Sequence, residues 1–390
     1  MEPLGRFYTV DSISHLLVSR FNQDSPRHIL DIGAGDGSLL NAAYNRWKDA
    51  TFHAADIDPL SIAKISLHLP FVRLQHIDGL SSGLDRKMSL KVGSVDVAIC
   101  NPPYLRVKNT PEIMLMLREA GFLNSLQLKR LTSDIVFLAQ NLLLLKKEGE
   151  LGIILPDSIF SGHEFACLRE DIVANNKING VLQLPDKIFS KTEARTHILL
   201  LEKGEKSNGF IPLYQANKLG NLTTPLYISE EQAIQRMDYA YYCWQNEQTQ
   251  TTDHCSYLGD LGVEIKRGRS SKKVLRDAGI KFFHTSSFPV SNPFVKFKSI
   301  SIPGEVMAES GDILISRVGK RCMGRVAVVE SGKQVISDCV YRLRAHAKYR
   351  EIIWKTLVSP GGKQWVQAHA HGVCARCLSK KDLLTFPIAL

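Results

Sequence analysis

Residues 28–40 have the sequence His28-Ile-Leu-Asp31-Ile-Gly33-Ala-Gly35-Asp36-Gly37-Ser-Leu-Leu40. The apolar run predicts a buried strand, the glycines predict a tight turn, and the residues that follow predict an amphipathic helix. The spacing is Asp-x-Gly-x-Gly-x-Gly, which differs from the G-x-G-x-x-G dinucleotide fingerprint because residue 38 is Ser. Such a turn still lets a ligand approach the backbone beside a helix N-terminus. The stretch therefore predicts the first unit of a ligand-binding α/β domain.

Acidic residues recur at the ends of the predicted strands. Asp31 lies in the first strand, Asp56 ends the second, and Asp78 follows the third. An acid about 20 residues after a glycine turn is placed to bind ribose hydroxyls, and Asp78 is placed to accept from an adenine amino group. We interpret Asp36 and Asp58 as helix caps or turn formers. This alternation of strands and helices predicts an α/β fold with a doubly wound, Rossmann-like parallel sheet.

The loop Asn101-Pro102-Pro103-Tyr104 follows a predicted buried strand, Val95–Cys100. Both prolines lack an N–H and have a nearly fixed φ, so the loop is stiff and rich in acceptors. The Asn101 side-chain carbonyl and the Pro102 backbone carbonyl can accept from the two N–H bonds of a planar amine, which frees its lone pair for methyl transfer. Tyr104 offers a ring on which a base can stack. The alternative is a simple turn that ends a strand.

The alternation continues beyond this loop. Residues 133–145 predict a helix, and residues 149–156, 179–185 and 197–202 predict strands. Phe189 precedes the last of these strands in a predicted loop. Two alternatives stay open for this side chain: a position in the core and a contact with an extruded base.

The composition indicates a globular protein of about two domains. The chain has 390 residues, of which 44% are hydrophobic. The N-terminus lacks the apolar segment of a signal peptide, and the longest apolar stretches are too short to span a bilayer. Eight Cys lack a disulfide-like spacing. These features predict a cytoplasmic protein with no membrane partner.

Positive charge is concentrated in the last third of the chain. Residues 255–390 contain 23 Lys and Arg against 10 Asp and Glu, whereas the first 254 residues contain 26 against 29. This asymmetry predicts one domain that performs chemistry and another that binds a polyanion, although a basic surface also serves solubility. A polar stretch, residues 245–253, resembles a linker. We therefore expect a catalytic domain at 1–245 and a smaller α+β domain at 246–390.

Four residues near the C-terminus have side chains that can bind zinc: His369, His371, Cys374 and Cys377. Cys-x-x-Cys occurs once, and His-x-His is an unusual spacing for a structural zinc site. We favour a polar loop without a metal over a zinc site.

The order of the motifs resembles that of gamma-class DNA adenine-N6 methyltransferases of bacterial restriction–modification systems, over roughly residues 1–205. Gly5-Arg-Phe7-Tyr-Thr9 resembles the N-terminal cofactor motif of that family, with Val10 in place of the usual Pro. The glycine turn resembles the S-adenosylmethionine loop, and Asn101-Pro-Pro-Tyr104 resembles the catalytic tetrapeptide. The segment 188–201 resembles the late motif that carries Phe189.

The resemblance implies S-adenosylmethionine as the cofactor, no metal, and a role for individual residues. It implies cofactor contacts for Phe7, Thr9, Asp31, Gly33, Gly35, Asp56, Ile57, Asp78 and Gly79. It implies that Asn101 and Pro102 orient the adenine amine, and that Tyr104 and Phe189 hold the ring. The base must first be flipped out of the duplex.

The tail resembles, more diffusely, a target recognition domain of type I specificity subunits. The matching stretches begin at Leu258, Gly311 and Leu378. The resemblance implies double-stranded DNA as partner and allows for a cognate restriction endonuclease or another defence subunit. Two alternatives stay open. One is a methyltransferase that acts on RNA or on protein glutamine with the same Asn-Pro-Pro-Tyr chemistry, and the other is a non-catalytic DNA-binding specificity subunit.

Overall fold

The computed structural model describes residues 9–186, 188–189, 195–204, 206, 209–248, 255–319, 322–372 and 376–389. The chain divides into two compact units, Met1–Tyr239 and Ala240–Leu390. The division falls before the boundary expected at 245/246, because residues 245–248 continue a helix, Tyr239–Gln248, whose Trp244 packs against the core of the second unit. The rest of the predicted linker, 249–254, lies outside the described residues.

The first unit alternates helices and strands. Its helices are α1 (Asp11–Ser19), α2 (Ser38–Arg46), α3 (Pro59–His68), α4 (Leu84–Lys87), α5 (Pro111–Glu119), α6 (Ser133–Leu144), α7 (Asp157–Ser161), α8 (Ala166–Asn175) and α9 (Glu230–Gln235). Its strands are β1 (His28–Ile32), β2 (Thr51–Asp56), β3 (Arg73–His76), β4 (Val95–Cys100), β5 (Arg106–Val107), β6 (Leu131–Thr132), β7 (Leu145–Pro156), β8 (Asn176–Gln183), β9 (Thr196–Lys203), β10 (Phe210–Gln215) and β11 (Leu226–Ser229).

One large sheet organises this unit, in the order β11-β10-β8-β9-β7-β4-β1-β2-β3 among the described residues. β1 runs parallel to both β2 and β4, and β4 runs parallel to β7. The predicted α/β fold with a parallel sheet is confirmed for this part. It is wrong for β9, which inserts between β7 and β8 and runs antiparallel to both.

The core of the first unit forms where helices cover the sheet. α1 contributes Ile13 and Leu17, and β1 and β4 contribute Ile29 and Val97, all fully buried. β4 is buried along its whole length, as expected for a central strand of a sheet that is covered on both faces. The strand that delivers Asn101 is therefore among the most enclosed in the molecule.

The second unit mixes short strands with helices. Its helices are α10 (Tyr239–Gln248), α11 (Lys272–Asp277), α12 (Ala347–Val358), α13 (Pro360–His369) and α14 (Lys380–Leu384). Its strands are β12 (Cys255–Tyr257), β13 (Glu264–Arg267), β14 (Phe282–Phe283), β15 (Phe294–Lys296), β16 (Met307–Glu309), β17 (Ile313–Ser316), β18 (Val326–Ser331), β19 (Lys333–Ile336), β20 (Val340–Arg344) and β21 (Pro387–Ala389).

A sheet with the order β13-β20-β17-β18-β15 lies at the centre of this unit. Successive side chains of a strand point to opposite faces, so β17 joins two cores. Ile313 and Ile315 belong to one buried apolar cluster, and Leu314 belongs to the other. None of the helices in the described ranges of either unit has the length and apolar character needed to cross a membrane.

Candidate active site

The candidate site lies at the carboxyl ends of β1, β2 and β4. The strand order reverses between β1 and β4, and the crevice outside such a switch point is where open α/β sheets bind ligands. A cavity of about 930 Å³, including space open to solvent, occupies this position. Of the residues predicted to form the site, those that line the cavity are Thr9, Asp31, Gly33, Gly35, Asp56, Ile57, Asp78, Gly79 and Asn101.

The glycine turn is bound to the end of β2. Gly33 and Gly35 both have positive φ, 77° and 57°, which side chains other than glycine rarely adopt. The Gly33 N–H donates to the Ala55 carbonyl at 2.7 Å, and the Gly35 N–H donates to the Asp56 carboxylate at 2.7 Å. The other Asp56 oxygen accepts from the Asp58 N–H at 2.8 Å. Asp56 is therefore held in place before any ligand binds.

Asp31 is a buried acid of the cavity with a perturbed pKa. Its carboxyl is 1% exposed, and neither oxygen has a hydrogen-bond partner within the described part of the chain. Burial raises its pKa well above the usual range, and repulsion from Asp56 and Asp36 raises it further. A buried carboxylate without a partner is unfavourable, so this position suits a ligand that carries a cation or N–H donors.

Asp36 and Asp58 have the structural roles expected of them. The Asp58 carboxylate caps α3 by accepting from the N–H groups of Leu60 and Ser61. Asp36 accepts from the Ser38 N–H and hydroxyl at 3.2 and 2.6 Å, and it also lines the cavity.

An aromatic wall of the cavity comes from α6. Phe137 lines the cavity and contacts two of its glycines. A Cβ added at Gly33 would lie 3.0 Å from the Phe137 ring, and one at Gly79 would lie 2.6 Å from it and 2.8 Å from Ile32. Phe137 was not predicted, because its place in an apolar helix is typical of a core residue.

The tetrapeptide loop is only partly exposed to the cavity. Asn101 and Pro103 line the cavity, whereas Pro102, which is buried, and Tyr104, which is half-buried, do not line it. The Asn101 amide nitrogen donates to the Thr9 hydroxyl at 3.0 Å, which orients the amide. The Tyr104 hydroxyl donates to the Ile154 carbonyl at 3.3 Å, and burial raises its pKa well above the usual value.

The first residue of α6 holds the same loop. The Ser133 hydroxyl donates to the Pro103 carbonyl at 2.5 Å and accepts from the Leu105 N–H at 2.9 Å. The Ser133 N–H donates to the Leu105 carbonyl at 2.8 Å. Three hydrogen bonds from one residue thus bracket Tyr104. This role was also missed from the sequence, since it depends on a contact between segments that lie about thirty residues apart.

Two predicted residues are placed elsewhere or not described. Phe189 is 3% exposed and belongs to the buried apolar cluster that includes Ile13 and Leu184, and it does not line the described cavity. Its contact with an extruded base stays a prediction. Phe7 lies outside the described residues.

Three of the four His and Cys residues considered as zinc ligands lie within the described residues. His371 lies 3.3 Å from the Asp382 carboxylate and 3.9 Å from the Cys377 sulfur. His369 stacks on Trp365. Within the described ranges no group of three or more His, Cys, Asp or Glu is placed to hold a metal ion, and Cys374 falls outside those ranges.

Comparisons with known proteins show the family of the chain. The family described as N-6 DNA Methylase matches residues 2–258. The type II methyltransferase M.BsuBI from Bacillus subtilis is 25% identical over 296 residues, which is 68% of this chain and 58% of that protein. M.PstI from Providencia stuartii is 23% identical over 299 residues, with the same two shares. The chain thus spans a little over half the length of these relatives.

The fold of both units has a counterpart among solved structures. The type IIG restriction endonuclease BpuSI aligns with a TM-score of 0.52 over 97% of this chain and 57% of that one. Because the identity is 14%, the likeness concerns the fold alone.

Proposed function

The chain belongs to the N-6 DNA methylase family, and from this premise we propose that it methylates adenine N6 in DNA, as the modification activity of a restriction–modification system. The single observation that carries the proposal is the convergence of eight predicted cofactor residues on one cavity that Asn101 also lines. The family match and the two type II relatives favour DNA over RNA or protein glutamine as the substrate.

We propose S-adenosylmethionine as the methyl donor. It supplies an activated methyl group on a sulfonium centre. The hydrogen-bond acceptors of the cavity fit it: the Asp56 carboxylate is placed to accept from ribose hydroxyls, and Asp78 can accept from the adenine amino group. Asp31 is a buried carboxyl without a hydrogen-bond partner among the described residues, and an ammonium group beside it would stabilise its ionised form. Phe137 supports this assignment by adding an apolar face to the same cavity.

The tetrapeptide would orient the nucleophile. The Asn101 amide nitrogen donates to the Thr9 hydroxyl, so the carbonyl oxygen of the same amide points away from Thr9. That oxygen is the acceptor in the proposed mechanism. In the proposed mechanism this oxygen and the Pro102 carbonyl accept from the two N–H bonds of a flipped adenine. These bonds strengthen as the nitrogen becomes cationic, so they stabilise the transition state more than the ground state. The proton leaves after the methyl group has arrived.

We assign target recognition to the second unit, 240–390. This unit contains 23 Lys and Arg against 12 Asp and Glu, a net charge of +11, which suits binding to a polyanion. The motif order of the first unit, with the cofactor segments before the tetrapeptide, supports gamma-class membership. Relatives named as methylase subunits of type I restriction enzymes support a restriction subunit as the functional partner.

The test uses a host that lacks adenine methylation. Expression of the chain is expected to produce N6-methyladenine at one short DNA sequence, detected by sequencing that reports modified bases. Asn101→Ala is expected to lower the single-turnover rate by about 10²–10³, by analogy with the loss of one preorganised polar group. Methylation that appears only in RNA or protein, or an Asn101→Ala variant with the wild-type rate, would overturn the proposal.

A further inference from the structure

Residues 266–281, which we call the basic segment, carry an unusual density of positive charge. Within these 16 residues there are seven cations, namely Lys266, Arg267, Arg269, Lys272, Lys273, Arg276 and Lys281, and the single acid Asp277. All seven cations are exposed. Surfaces that serve solubility usually mix both signs of charge, whereas this segment does not.

The basic segment is anchored at several points along its length. The Gly268 N–H donates to the Val340 carbonyl at 3.1 Å, and a Cβ at this position would lie 2.1 Å from the Ser337 carbonyl oxygen. Leu275 of α11 is 1% exposed, and its carbonyl accepts from the Ile280 N–H at 3.0 Å. The segment therefore presents its cations from a fixed backbone, which limits the entropy lost when a ligand binds.

Most of these cations are not neutralised by the protein. Lys266 pairs with Glu264 and Arg267 pairs with Asp338. The remaining cations of α11 and its C-terminal flank make no ion pair with any described residue: Lys272, Lys273, Arg276 and Lys281. On a helix, residues three and four apart share a face, so Arg276 lies on the same side as both Lys272 and Lys273.

A concave surface adjoins the basic segment and continues its character. Lys281 and Phe282 line it together with Lys296 and Phe297, around about 1020 Å³ of open space. Lysines between aromatic faces suit a partner that combines phosphates with planar rings.

We propose that the basic segment binds the phosphodiester backbone of the DNA substrate and positions the duplex without reading its sequence. This inference rests on the proposed function, because it takes DNA as the partner. Duplex DNA carries one negative charge per about 1.7 Å of axis, so three adjacent exposed cations can displace several condensed counterions at once. With one acid among seven cations, the segment offers no mixed pattern of cations and anions for a protein partner to match.

The experiment compares two triple variants of the full chain. The test variant carries Lys272→Gln, Lys273→Gln and Arg276→Gln on α11. The control variant carries Lys363→Gln, Lys380→Gln and Lys381→Gln, which removes the same charge from exposed positions on α13 and α14. The dissociation constant is measured across a range of salt concentrations, for a duplex with the mapped target and for one without it.

The test variant is expected to bind both duplexes more weakly. The slope of log affinity against log salt should become shallower by about 0.9 for each phosphate contact removed, and by up to about 2.7 for all three. The control variant should keep the wild-type slope. Both variants should unfold at the wild-type temperature and bind S-adenosylmethionine with the wild-type affinity, which shows that each is folded.

The outcomes separate this inference from the proposed function. If the wild-type protein methylates adenine and the test variant keeps the wild-type slope and affinity, the basic segment is not a DNA contact, although the function stands. The inference also fails if the control variant loses as much affinity as the test variant. If the salt slopes of the wild type and the test variant differ as expected but the wild type methylates nothing, the proposed function is overturned and the basic segment is supported as a DNA contact.

Discussion

Ser133 and Leu105 exchange two hydrogen bonds, from the Ser133 N–H to the Leu105 carbonyl at 2.8 Å and from the Leu105 N–H to the Ser133 hydroxyl at 2.9 Å. The same hydroxyl donates to the Pro103 carbonyl. The N-terminus of α6 thereby fixes the backbone on both sides of Tyr104. A reactive loop that is hydrogen-bonded to a rigid element keeps its geometry more precisely than a loop held only by contacts within itself.

Replacement of Ser133 by Ala is expected to act on the chemical step. It removes both bonds of the hydroxyl and lets the tetrapeptide shift, and a displacement of about 1 Å can lower a rate by about 10². We expect a single-turnover methylation rate about 10–100-fold below wild type, with little change in affinity for S-adenosylmethionine or DNA. Single-turnover kinetics and calorimetry measure these quantities separately.

Ser133→Thr is the matched control, because it keeps the hydroxyl. It is expected to restore most of the rate. A purely structural role would instead lower the unfolding temperature of the Ala variant without a selective loss of rate. A Thr variant as slow as the Ala variant would also contradict a role for the hydroxyl.

Asp56→Ala is expected to weaken S-adenosylmethionine binding. The change removes the proposed acceptor for the ribose and also the carboxylate that accepts from the Gly35 N–H. Loss of a hydrogen bond to a charged group corresponds to about 1.5–3 kcal/mol. Asp58→Ala is the control, since Asp58 caps α3, and it should lower stability by about 1 kcal/mol without a comparable loss of affinity. Calorimetric titration that finds equal affinities for the two variants would remove Asp56 from the site.

The sequence predicts the residues of the proposed cofactor site because that part of the cavity depends on local chemistry. A glycine turn after an apolar strand has few other uses, and the carboxyl ends of parallel strands meet at one edge of a sheet. Asp31, Asp56 and Asn101 therefore converge once the strands are assigned. No knowledge of the distant chain is needed for this step.

The remainder of the site depends on tertiary contacts that no local pattern encodes. Phe137 and Ser133 reach the cavity and its loop from a helix whose residues are buried almost all round. The apolar run of β9 would look the same in either direction, so its antiparallel insertion between β7 and β8 was not predicted. Periodicity reports burial, whereas strand direction follows from connections elsewhere in the chain.

Gly79→Ala is expected to reduce both stability and cofactor affinity. The new methyl group would lie 2.6 Å from the Phe137 ring and 2.8 Å from Ile32, so the wall of the cavity must shift to admit it. Overpacking of this kind destabilises by about 1–3 kcal/mol. A smaller side chain at 137, as in the double variant with Phe137→Leu, should recover part of the loss. The wild type, the two single variants and the double variant form a double-mutant cycle, in which thermal unfolding and calorimetry measure the coupling free energy. Effects of the two substitutions that simply add would contradict the contact.

Asp134→Asn is expected to stabilise the protein in a pH-dependent manner. The Asp134 carboxyl lies in the first turn of α6 and is 1% exposed. Burial raises its pKa from the ordinary 3.8 to about 6, although hydrogen bonds from Thr132 and from its own backbone act in the opposite direction. The folded protein therefore keeps this proton at pH values where the unfolded chain has released it.

The sign of the effect follows from proton linkage. The contribution of Asp134 to the free energy of unfolding should fall as the pH rises from about 4 to about 6, and above pH 6 the buried carboxylate lowers that free energy by about 3 kcal/mol. Asn has no proton to lose, so the variant should exceed wild type in stability at pH 8 by an amount that shrinks as the pH approaches 4. Urea unfolding of both proteins across this range measures the difference, and Asp24→Asn, at an exposed position, controls for the loss of one charge. A difference between Asp134→Asn and wild type that stays constant with pH would show that burial does not raise the pKa of this group.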